Sequence, residues 1–174
     1  MLYREDSAVS RLQLAVEQIL FARNYTIRLL DQTPVAEWFR QPPDGVSHIA
    51  WQVGHLAFAE YTLALEPIRG VQPQDVDLMP QKYLTLFGAD SVPDPDPENY
   101  PNQAELRAVF DRVHEQVLQE LPGLDEGELD QPIVDPLPFA KTKLLMLFWC
   151  ARHEMLHAGQ IGLLRRQLGH SPLW

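Results

Sequence analysis

The chain has 174 residues, of which 45% are hydrophobic and 22% charged, and its formal net charge is −10. That length predicts a single domain, residues 1–174, with a real core and no room for a second domain of ordinary size. The acidic balance argues against a phosphate backbone as partner, and Arg165 and Arg166 form only an isolated basic pair. The one cysteine, Cys150, excludes an internal disulfide and fits a reducing cytoplasm. Residues 1–6 lack the apolar core of a signal peptide. The longest apolar run, residues 144–151, is too short to span a bilayer. The expectation is a cytoplasmic protein with no nucleic-acid or membrane partner.

Proline parses the chain, because it is excluded from helix interiors. Four proline-free windows stand out: 1–33, 44–66, 102–121 and 139–171. In the first, Val9, Leu12, Val16, Ile19, Leu20 and Ala22 recur at helical spacing. A short turn should follow, with Thr33 as cap, Pro34 at the first position and Trp38 packed inward. The second helix should start at a Ser47 N-cap and end before Pro67. Residues 67–101 form a long connection, with a short helix around 82–87 and an extended proline-rich run at 92–97. There Asp94, Asp96 and Glu98 read as a solvated acidic loop. The third helix carries Leu106, Val109, Phe110, Val113, Val117 and Leu121 on one side. Residues 129–139 read as a loop, since no window alternates with period two long enough for a strand. The fourth helix should run from near Thr142 to Gly169, with Arg165 and Arg166 at its negative end. The fold class is all-α: a four-helix bundle with one long crossover connection.

The fourth helix contains His153-Glu154-Met155-Leu156-His157, an H-E-x-x-H motif. With about 100° per residue, His157 falls roughly 40° from His153 and Gln160 roughly 20° to the other side. Met146, Trp149, Cys150, Leu164 and Leu168 share that sector. Two histidines and a glutamine thus sit on an apolar stripe, where buried polar groups need partners. They are either satisfied core residues or ligands, since one metal ion would serve both imidazoles. The second helix places His48, Trp51, Gln52, His55, Ala59 and Thr62 on one face. Either His48 or His55 can complete a three-histidine set, His48 being the reserve because it sits in the first turn.

A zinc protease fits poorly. Its third ligand usually lies downstream, yet nothing after His157 is Asp or Glu. Gln160 and Leu163 occupy the positions where the extended motif needs Gly and His. His170 lies beyond Gly169, off the helix, and no edge strand is in sight to hold a peptide. Glu154 therefore reads as a solvated helix residue, not a general base.

Trp51-Gln52-Val53-Gly54-His55-Leu56-Ala57 and His153 through Ile161, continuing from Leu164 to Gly169, resemble the DinB-like superfamily of metalloenzymes. That group includes the YfiT-like proteins and the bacillithiol and mycothiol S-transferases. The likeness extends through Tyr83-Leu84, Phe87-Gly88, Tyr100-Pro101 and the third helix. It implies a bundle, commonly dimeric, with a divalent ion (zinc or nickel, with iron as a further candidate) held by His55, His153 and His157. It fixes no substrate.

Three neutral imidazoles leave a coordination position open, as catalytic zinc sites do. Such a position can lower the proton affinity of water or of a soft thiol. The reading is a metal-dependent transferase or hydrolase acting on a small molecule, with a low-molecular-weight thiol as the leading candidate. Gln160 and Gln52 would orient imidazoles or substrate, or simply bond to each other across the helices. Trp51 would line either the core or the substrate pocket. Cys150 reads as a small buried hydrophobe and His114 as exposed. Two alternatives stand beside this one: an iron oxygenase of the ergothioneine-synthase kind, which needs a second catalytic domain, and a non-catalytic dimeric bundle whose metal is structural or absent.

Overall fold

The computed structural model describes residues 9–173. The leader-peptide expectation, resting on residues 1–6, lies outside the described residues. Four long helices form the bundle, as expected for an all-α chain. Helix α1, Arg11–Asp31, starts where the Ser10 hydroxyl accepts from the Gln13 amide. It buries Leu12, Ala15, Ile19, Ala22, Leu29 and Leu30, mainly against the last helix. Val9, placed on this stripe by spacing, precedes the helix and is exposed. The Thr33 hydroxyl donates back to Leu29 and caps nothing; Pro34 instead opens the single turn Val35–Glu37, and Trp38 is buried as expected.

Helix α2, Ile49–Glu60, corrects two expectations. Its N-cap is His48, whose Nδ1 accepts from the Trp51 amide, and not Ser47. Nor does the helical path stop before Pro67. It passes through a π turn, Tyr61–Leu65, into α3, Glu66–Arg69. The wider turn restarts the hydrogen-bond ladder, so Pro67 falls in a first turn where its missing N–H would have been an orphan.

The connection holds α4, Asp75–Leu78, and α5, Gln81–Phe87, before an extended run. Helix α6, Gln103–Glu120, is capped by Asn102 and packs on α2. All six of its expected apolar residues are no more than 2% exposed. Helix α7, Lys143–Gln167, begins at the Thr142 hydroxyl. It ends at Gly169, whose φ of 99° is the left-handed value that terminates helices.

The loop expected at 129–139 is instead partly a hairpin. Strand β1, Pro132–Leu137, pairs antiparallel with β2, Ala140–Thr142. Its register is broken between Pro132 and Leu137, where Asp135 has φ 54°. Three prolines and this kink hide the period-two signal. The hairpin packs Ile133 and Ala140 on Met146 of α7, a small apolar cluster apart from the main core. No helix among the described residues is long and apolar enough to cross a membrane.

Candidate metal centre

Helices α2 and α7 face each other through polar pairs that run in opposite senses: Gln52 with Gln160, and His55 with both His157 and His153. One nitrogen from each of His55, His153 and His157 can be chosen so that all three lie within 4.8 Å of one another. The rings sit 4.5 Å (His55 to His157), 4.5 Å (His153 to His157) and 5.3 Å (His55 to His153) apart, centroid to centroid. His55 is buried, whereas His153 and His157 are half-buried. They line the edge of the buried face of α7 and not the middle of its stripe, because Cys150, Glu154, Ala158 and Ile161 form that middle.

Two imidazoles are oriented from behind. The Nδ1–H of His55 donates to the Phe87 carbonyl at 2.7 Å, which leaves its Nε2 with a lone pair. The preceding Gly54 makes this contact reachable: a Cβ there would fall 2.4 Å from the Phe87 ring. The Gly-His pair of the motif is therefore one device, a notch that seats α5 and the imidazole that α5 steers. The Nδ1–H of His157 donates to Oε1 of Gln52 at 2.7 Å. The amide nitrogen of Gln52 donates in turn to Gln160 Oε1 at 3.0 Å and to Ser47 Oγ at 2.9 Å. Trp51 stacks on His55 at 4.7 Å, nearly parallel, and its indole N–H donates to Ser91 Oγ.

His153 has no polar partner among the described residues, and its ring meets Trp149 edge-on at 5.9 Å. Burial lowers the pKa of all three histidines. His153 reaches about 4, assisted by His55, and His157 about 3, assisted by its two neighbours. All three are neutral at pH 7, and His55 and His157, each donating from Nδ1, keep Nε2 lone pairs with no hydrogen-bond partner among the described residues. Three neutral imidazoles, each offering a nitrogen within 4.8 Å of the others, form a donor set that fits a divalent cation.

Other sequence candidates fall elsewhere. His48 spends Nδ1 on the α2 cap and places Nε2 2.9 Å from the Asp94 carbonyl, so it is no reserve ligand. It also anchors the loop there, so Asp94 is half-buried, while Asp96 and Glu98 are exposed as expected. Cys150 is buried, as read, and burial beside Glu60 and Glu154 pushes its thiol up. His170 meets Glu37 at 2.5 Å.

Two expectations are overturned. Glu154 is not solvated but buried at 3% exposure, because α1 covers that side of α7 and Arg23 grips both of its oxygens. With both oxygens taken, it cannot serve as a protease base. His114 is not exposed either; its Nδ1 lies 2.7 Å from Glu60 Oε1. Sequence reasoning missed Arg23, although a basic residue between Ala22 and Thr26 on a buried helix face is itself a signal that acids face it.

Fold and site together define a class: a four-helix bundle with a histidine cluster gathered from two facing helices. The sequence signature of the DinB superfamily matches residues 18–161, and the chain belongs to that superfamily. It is also similar to a solved structure described as that of a conserved protein from Enterococcus faecalis. The TM-score is 0.69 at 19% identity, covering 94% of this chain and 100% of that one, a likeness of fold. No curated protein matches the sequence.

Proposed function

We propose that His55, His153 and His157 hold a divalent metal ion, zinc or nickel by preference of the all-imidazole set, with a position left open for a small molecule. The observation that carries this reading is the orientation of the imidazoles. Phe87 and Gln52 each take an Nδ1 proton, which leaves Nε2 lone pairs free beside a third neutral ring. A closed structural site takes four protein ligands. Among the described residues no fourth His, Cys, Asp or Glu joins these three, which favours a catalytic site over a structural one.

The bound ion would supply Lewis acidity, making a thiolate or hydroxide available near neutral pH. The chain's own residues do the rest. Gln52 and Phe87 fix two imidazoles, and Trp51 shields one face of His55 from water. The reading is therefore metal-dependent transfer of a low-molecular-weight thiol, or a related hydrolysis.

Elemental mass spectrometry tests it on wild type and a folded His55→Ala variant. About one ion per chain in wild type, lost in the variant, is expected. No ion in either after reconstitution with zinc, nickel and iron would end the enzyme reading. For the chemistry, a low-molecular-weight thiol should bind the cobalt-loaded protein and give a sulfur-to-metal absorption band. Silence there with cobalt bound would leave only the hydrolytic branch.

A further inference from the structure

We infer that Trp149 and Phe139 form a wall that receives a flat, uncharged, aromatic group of the substrate beside the histidine cluster. This deepens the metal-site reading above and rests on it. Phe139 stands at the hairpin turn between β1 and β2 and is 57% exposed. It does not hang free: its ring meets the Trp149 indole edge-on at 4.5 Å. Trp149 is half-buried and meets the His153 ring at 5.9 Å and 62°. The two aromatics thus run outward from the least-supported histidine of the set.

The hairpin gives this placement its rigidity. Ile133, Ala140 and Met146 make a cluster against which Trp149 packs, so the turn is held on α7 one helical turn before His153.

The ring contacts around the cluster narrow the ligand further: Trp149 meets His153, and His153 and His157 both face His55. Trp51 on one side and Phe58 near His55 extend the apolar surroundings. A charged group would lose hydration against these rings. A flat apolar group would gain edge or face contact with two rings.

Two neutral metal ligands, imidazole and 4-phenylimidazole, test this on the cobalt-loaded protein, with affinity read from the visible spectrum. Neither requires turnover or thiol chemistry. Wild type should prefer the phenyl compound, and Phe139→Ala should weaken it about 3- to 10-fold, the range for one aromatic contact. Affinity for imidazole itself should not move, and Phe139→Tyr should restore the preference. Equal change for both ligands, or change for neither, overturns the wall while leaving the metal site intact. Failure of cobalt to bind is seen before any ligand is added; it overturns the metal reading and this inference with it.

Discussion

His153 and Glu154 are neighbours on one helix and belong to opposite kinds of site. Glu154 joins a closed network. Arg23 spends Nε and Nη2 on its two oxygens, another Nη2 contact on Glu60, and Nη1 on the Phe110 carbonyl, while its guanidinium lies 3.5 Å over the Phe110 ring. Glu60 completes the set with His114. Each of the four carboxylate oxygens has a partner, so the network ties α1, α2, α6 and α7 together and has nothing left to offer a ligand. The histidine cluster, one residue away, is oriented just as carefully but left unsaturated. A polar group the fold saturates is serving structure; one it orients and leaves open is available for chemistry.

The sharpest way to break this contrast is Arg23→Met. It strands two buried carboxylates and should cost about 3–5 kcal/mol in urea unfolding. In a Glu154→Leu background the same change should cost clearly less, since the two residues share one interaction. A loss under about 1 kcal/mol in the first experiment would mean that the network holds nothing.

The open site should respond differently. Gln52→Leu removes the acceptor for His157 Nδ1–H and should weaken zinc about 10- to 100-fold in chelator competition. Gln52→Glu restores an acceptor there and should recover most of that affinity. If Gln52→Leu leaves zinc binding unchanged, the Gln52–Gln160 pair is merely an interhelical bond.

A second closed network allows a pH test. Burial alone would raise the Asp75 pKa, but bonds from Arg69, Gln72 and Tyr61 bring it below its ordinary 3.8. The unfolded chain then binds this proton more readily than the folded one. The stabilisation is therefore complete above the unfolded value and lost as pH falls through the folded one. Asp75→Asn should cost about 1–3 kcal/mol near neutrality, and its deficit should shrink as pH drops below about 4. A pH-independent deficit would show that Asp75 acts through shape and not charge.

How much of this was legible beforehand follows the same division. Periodicity revealed the stripes of α1 and α6, because apolar burial repeats with the helix. The H-E-x-x-H spacing with Gly54-His55 pointed to the cluster, because i and i+4 share a face. Closed networks were invisible, since they join residues 37 and 131 positions apart and each member alone reads as surface. Glu154 was misread for that reason: its angle on α7 was right, but α1 lies there in place of water. Trp149 was placed in the sector of the histidines, but its contact with Phe139 was hidden by the prolines that disguise the hairpin.

The smallest expected effect is the most diagnostic. His153 is half-buried, lacks a polar partner among the described residues and brings a ring nitrogen within 4.8 Å of the other two histidines. Without metal, His153→Ala should therefore change stability by no more than about 0.5 kcal/mol, as at an ordinary surface position. With zinc at a hundredfold excess over its dissociation constant, wild type should gain about 2.7 kcal/mol while the variant gains little, because only the folded triad binds the ion. A residue worth nothing in the empty protein and several kcal/mol in the loaded one is held for its ligand. If His153→Ala instead destabilises the metal-free protein by 2 kcal/mol or more, the cluster belongs with Arg23 and its carboxylates as part of the frame.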